Sequence, residues 1–261
     1  MNPSTNHPCP CCGYRTYLKP AGGTMQLCPV CGWEDAPGEY PFNNSNDISL
    51  VEGQRHFLMH GACEAELGSL VRKPLPEEER SIHWMSLDQL RERIIQAIEE
   101  AFHGVTRNGG ITLHQMDLVD GGWPILDSAM RETATKDPEL RWQDISAEKL
   151  SKFYMSLSFL DDKGYLFYLP AFMRHAMMTA TSDLSCSEHE GALWSLDSGP
   201  EDKYRRDAFA LLDIPQRQAI AAFVQIFILC AEDCLSCRSL KKQTRNSWNA
   251  DLPSFFKLAL T

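Results

Sequence analysis

Apolar positions along this chain recur mostly at helical spacing. After Ser49, Leu50, Phe57 and Leu58 fall on one side of a helix that ends near Gly61. Ser49 and Glu52 are the two halves of a capping box, in which each side chain satisfies the other residue's backbone N–H. Ser86 and Gln89 repeat the device ahead of Leu87, Leu90, Ile94, Ile98 and Ala101, a stripe that predicts a helix to about His103. Another helix begins near Ala147, with Leu150, Phe153, Tyr154 and Leu157 available for burial. Asp213 and Gln216 cap the widest apolar face, Ala219, Ile220, Phe223, Val224, Phe227 and Ile228, which predicts the central helix of a larger domain.

Two stretches read as extended. Tyr14 to Leu18 alternates apolar and polar residues, Lys19 to Gly23 is a turn, and Thr24 to Leu27 can return as the second arm of a hairpin. Asp161 to Gly164 reads as a turn before a short strand, Tyr165 to Leu169, after which Pro170 opens a helix carrying Ala171, Phe172, Ala176 and Met177. Thr181 to Asp202 reads as an acidic loop. The proline- and charge-rich run Pro74 to Arg80 is the best boundary, which divides the chain into domains 1–78 and 79–261. The expected fold class is α+β and mainly helical: a small zinc-ribbon-like module followed by a larger, mostly α domain.

Cysteine spacing changes the picture of the first domain. Cys9-Pro10-Cys11-Cys12-Gly13 and Cys28-Pro29-Val30-Cys31-Gly32 both read C-P-x-C-G, with fifteen residues between the pairs. Each pair can wrap a tight turn around one ion, the proline stiffening the turn and the glycine letting the backbone curl back. Cys9, Cys12, Cys28 and Cys31 are therefore the candidate ligands of one structural Zn2+, since four thiolates close a tetrahedron and leave no position for substrate. Cys11 occupies the slot held by Val30 in the second pair and reads as a non-ligand, although exchange with Cys9 is open. Trp33 can shield one side of the metal, and Cys63 reads as a small buried hydrophobe.

Charge narrows the partners. With 25 Lys+Arg against 35 Asp+Glu the net charge is -10, the wrong sign for a polyanion and the right one for a basic protein. Met1 to Asn6 lacks the pattern of an export signal, and Ala219 to Ala231 is too short and too interrupted for a membrane span of about 20 residues. A cytoplasmic setting is expected, where paired cysteines bind metal rather than form disulfides.

The run Cys9 to Tyr14, then Cys28 to Asp35, then Ser49-Leu50 and His60-Gly61-Ala62-Cys63 resembles the bacterial cysteine-rich CPCC domain family over residues 8–78. The resemblance implies the domain and its zinc and brings no activity with it. Gly110 to Leu113, Arg141 to Asp144 and Phe167 to Phe172 resemble a second, uncharacterised bacterial family.

Outside the cysteines, His114, Asp117 and Asp120 recur every three residues and can in principle bind a divalent metal or run acid/base chemistry, or be one face of a short helix. Cys230, Cys234 and Cys237 would share a helix face, either as small core residues near a helix end or, with Cys186 or His189 as a fourth ligand, as a second zinc site. Arg238, Lys241, Lys242 and Arg245 suit a helix C-terminus, and His175 with Asp183 lacks a placed nucleophile. No phosphate-binding glycine loop and no nucleophile–base pair stands out, so the chain reads as a binding protein rather than an enzyme. The expected function is a bacterial immunity protein whose acidic surface covers a basic toxin such as a nuclease. The other readings are a metal-dependent hydrolase centred on His114, Asp117 and Asp120, and a zinc-ribbon nucleic-acid regulator.

Overall fold

The computed structural model describes residues 6–36, 46–120, 126–179, 187–196, 205–230 and 248–259. The chain is mainly helical, and no strand occurs among the described residues. Its helices are α1 (Leu50–His60), α2 (Leu87–Ala101), α3 (Leu113–Asp120), α4 (Asp127–Ala134), α5 (Ala147–Lys152), α6 (Asp162–Thr179), α7 (Ser187–Leu196), α8 (Arg206–Ala210), α9 (Ile214–Cys230) and α10 (Ser254–Ala259). The chain divides into two compact units, one of Met1–Arg93 with Ile226–Cys234 and Pro253–Thr261, the other of Ile94–Gln225 with Leu235–Leu252.

In the first unit the two cysteine turns are built alike. Cys9 N–H donates to Tyr14 O at 2.9 Å and Gly13 N–H to Cys9 O at 2.8 Å; Cys28 N–H donates to Trp33 O at 2.8 Å and Gly32 N–H to Cys28 O at 2.9 Å. Gly13 and Gly32 hold φ of 76° and 83°, left-handed values that favour glycine. The predicted hairpin between the turns does not form. Tyr17 bridges back to His7 and Leu27 bridges forward to Glu34, so each turn is closed by its own flanks. The connector is held by two side chains instead. Gln26 Oε1 takes the N–H of Leu18 and Lys19, while the buried Asp35 carboxylate takes the N–H of Gly22 and Thr24. Once those N–H groups are spent on side chains, arm-to-arm pairing has no donors there.

The helix α1 carries the predicted capping box, with Ser49 N–H on Glu52 Oε2 at 3.0 Å and Glu52 N–H on Ser49 Oγ at 3.3 Å. Gly61, at φ 81°, ends it. The Pro74–Arg80 stretch is tied down by a bidentate pair in which Arg72 donates to both Glu78 oxygens, at 2.6 and 2.7 Å. Beyond it, the Arg80 guanidinium lies between the Tyr14 and Trp84 rings, 5.1 and 4.8 Å from their centroids. Ser86 and Gln89 then cap α2 as predicted.

In the second unit α6 is the element on which α5, α7, α8 and the 3-10 turns Trp142–Asp144 and Ser156–Phe159 pack, rather than α9. Tyr165–Leu169 is not a strand; it lies inside α6, which runs on through Pro170. The supposed turn is its cap: Asp161 Oδ1 accepts the N–H of Gly164 and of Ile111, each at 2.9 Å. Tyr165, Phe167, Tyr168, Leu169, Phe172 and Met173 are all buried, so the helix has no polar face to show a 3.6-residue period. Their burial, at roughly 1.5–3 kcal/mol for each large side chain, outweighs the roughly 3 kcal/mol that an interior proline costs a helix. The expected loop Thr181 to Asp202 contains α7, whose Ala192, Leu193 and Leu196 are buried.

Candidate metal centre

Cys9, Cys12, Cys28 and Cys31 converge. Each offers one Sγ, all four lie within 4.8 Å of one another, and every one of the residues is at most 1% exposed. Two close contacts cross between the turns: Cys9 to Cys31 and Cys12 to Cys28 are both 3.6 Å. A tetrahedron of Zn–S bonds of about 2.3 Å puts neighbouring sulfurs about 3.8 Å apart, so the donors fit such an ion with little adjustment.

Four thiols this close perturb one another's acidity. Hydrogen bonds from Cys12, then Cys31 and Cys9, favour the thiolate of Cys28 and lower its pKa. The same contacts push the other way elsewhere, so Cys12 is raised, chiefly by Cys28, and Cys31 is raised, chiefly by Cys11. A divalent cation held there would take all four as thiolates.

The surroundings hold the ligands in place. Thr16 Oγ1 lies 3.2 Å from Cys28 Sγ, and Tyr17 OH donates to Trp33 O at 3.0 Å. Trp33, 7% exposed, lies against α1 where Gly53 leaves room: a Cβ there would sit 2.9 Å from the Trp33 ring. Tyr14, Ile48, Leu50, Phe57 and Leu67 pack around the cluster. Cys11 and Cys63 are fully buried beside it but outside the four-sulfur group, and burial pushes the Cys63 thiol up to about 12. Cys63 N–H donates to Cys31 O at 2.7 Å, so the residue braces a ligand turn through its backbone.

Among the described residues, the other candidates do not join a second cluster able to hold a metal ion. His114 turns to a residue that the i, i+3 reading did not include: its Nδ1 donates to Asp137 Oδ1 at 2.9 Å and its backbone N–H to Asp137 Oδ2 at 2.9 Å. Lys149 Nζ reaches the same carboxylate at 3.0 Å. Asp117 is exposed, and the Asp120 side chain lies outside the described residues. His175 is buried in α6 with its Nε2 3.2 Å from Ser151 Oγ. Cys186, Cys234, Cys237, Asp183, Arg238, Lys241, Lys242 and Arg245 lie outside the described residues, as do the side chains of His189 and Cys230. Among the described residues the four cysteines are the one group able to hold a metal ion. Asp137 carried no signal, because it is 23 residues from its histidine and no local period links them.

Two C-P-x-C-G turns closing a buried four-thiol site define a cysteine-rich module, able to hold a metal ion, in a mainly helical chain. Residues 7–78 match the family described as Cysteine-rich CPCC, and residues 90–252 match a family of unknown function, DUF6714. The second match spans more than half of the chain, which belongs to that family. No curated protein and no solved structure matches the chain. No helix among the described residues is long and apolar enough to cross a membrane.

Proposed function

We propose that the four cysteines hold one structural Zn2+ and that the chain acts by binding another protein rather than by catalysis. The observation that carries this reading is the closure of the site: four donors, all thiol sulfurs from the chain and all at most 1% exposed, leave no position for water or substrate. Zinc suits four soft donors in a tetrahedron and needs no redox change. The net charge of -10 selects a basic partner and disfavours nucleic acid. On this reading the protein is a cytoplasmic immunity protein that covers the basic surface of a cognate toxin. Co-purification of the full chain with the product of the adjacent gene tests it. Binding at micromolar concentration or better, with one zinc per chain by elemental analysis, is expected. No binding neighbour, and no neighbour toxic when expressed alone, would remove the immunity role.

A further inference from the structure

We propose that metal loading of the four-cysteine centre controls whether the first turn of α2 is formed, and that the buried side chain of Gln54 carries the coupling. The inference rests on the four thiols holding a metal ion and goes beyond it, because it concerns a segment that supplies no ligand.

Gln54 sits on α1 and is 4% exposed. Its Nε2 donates to Pro10 O at 2.9 Å, and its Oε1 accepts Leu87 N–H at 2.7 Å. A carbonyl only accepts and an amide N–H only donates, so the side chain fits one way round and both ends must be in place together. Pro10 lies inside the first C-P-x-C-G turn, between ligands Cys9 and Cys12. Its carbonyl direction is set by the hydrogen bonds that fold that turn. Leu87 is the first residue of α2, and its N–H is one of the donors a helix cannot satisfy internally. Ser86 Oγ takes the N–H of Gln89, so the cap does not supply a partner for Leu87; Gln54 does.

A second contact runs alongside. Gly13, the last residue of the same turn, is covered so closely by the Trp84 ring that a Cβ would meet it at 2.5 Å. Arg80 stacks between that ring and Tyr14. When the turn opens for lack of metal, Pro10 O moves, the Trp84 seat on Gly13 is lost, and Leu87 N–H faces a buried position without an acceptor. A buried unpaired N–H is costly enough that the turn gives way instead.

Hydrogen exchange on the full chain, read at Leu87 and through Arg91, tests the coupling, with cobalt(II) as the metal probe because its thiolate bands report binding independently. In the loaded protein these amides should be protected. Stripping the ion should raise their exchange about tenfold or more, the factor that one hydrogen bond of ordinary strength supplies. Gln54→Ala should keep the cobalt–thiolate bands while Leu87 exchanges as in the stripped protein. Arg55→Ala, which removes only the exposed Arg55–Asp88 pair, should leave Leu87 protected. Equal exchange at Leu87 with and without bound cobalt overturns the coupling and spares the metal centre; absence of cobalt–thiolate bands overturns the metal centre itself. If Gln54→Ala fails to fold, the loaded and stripped wild-type proteins decide alone.

Discussion

Asp137 is the buried group whose removal should be felt most in the second unit. Its side chain has no exposed surface and receives His114 N–H, His114 Nδ1–H, Lys149 Nζ and the Thr112 side chain. Lys149 keeps Glu139 Oε1 and Lys136 O when Asp137 is changed, so the change weakens mainly the two His114 bonds, the Thr112 bond and part of the lysine's attraction. Hydrogen bonds to charged groups contribute about 1.5–3 kcal/mol each, and the asparagine oxygen can still accept one of them. Asp137→Asn should therefore cost about 2–4 kcal/mol at pH 7. Burial works to raise the Asp137 pKa, but the bonds from His114, Thr112 and Lys149 win and hold it below the ordinary carboxyl value. A depressed carboxyl contributes stability above its unfolded pKa of about 3.9, and that contribution disappears as pH falls through the lower folded value. The gap between wild type and Asp137→Asn should be constant from pH 7 to about pH 5 and close below about pH 4. Urea unfolding followed by far-ultraviolet circular dichroism across this range measures it. A gap under about 1 kcal/mol at pH 7, or one that persists unchanged in acid, would refute the reasoning.

Cys28→Ser should abolish stoichiometric metal binding, whereas Cys11→Ser should retain one ion per chain by elemental analysis, since Cys11 stands outside the four-sulfur group. Gly164→Ala should destabilise by about 1–3 kcal/mol in thermal unfolding, because its Cβ would collide with Ile111 O and crowd Asp161 Oδ1, the cap of α6. Gly13→Ala should cost about 1–2 kcal/mol for its left-handed backbone and should also unseat Trp84, visible as a shift in tryptophan emission.

What could be read in advance was local. Ser49 with Glu52, Ser86 with Gln89 and Asp213 with Gln216 all cap helices as their three-residue spacing implies. The convergence of Cys9, Cys12, Cys28 and Cys31 was equally legible, because short C-x-x-C spacings set the geometry of each turn before any tertiary contact forms. Tyr165–Leu169 deceived because a helix buried on every side loses its period, leaving aromatic composition to suggest a strand. The α7 helix was hidden by its charges and by Gly191, whose reason is tertiary: a Cβ there would run into Tyr154 O. Asp137, Gln54 and Trp84 owe their roles to partners 23 to 71 positions away, measured from His114 to Asp137 and from Gly13 to Trp84, and no window of sequence contains both ends.

The separate closure of the two cysteine turns bears on how the centre assembles. Each turn presents two thiols and is complete within a dozen residues, and the connector is already drawn in by Gln26 and Asp35. An ion captured by one pair of sulfurs therefore meets the other pair as a tethered neighbour at high effective molarity, not as a distant stretch of chain. The entropy of closing a fifteen-residue loop is reduced beforehand by those side-chain bonds. Two-sulfur intermediates should not accumulate, and metal titration should show four-sulfur coordination from the first addition.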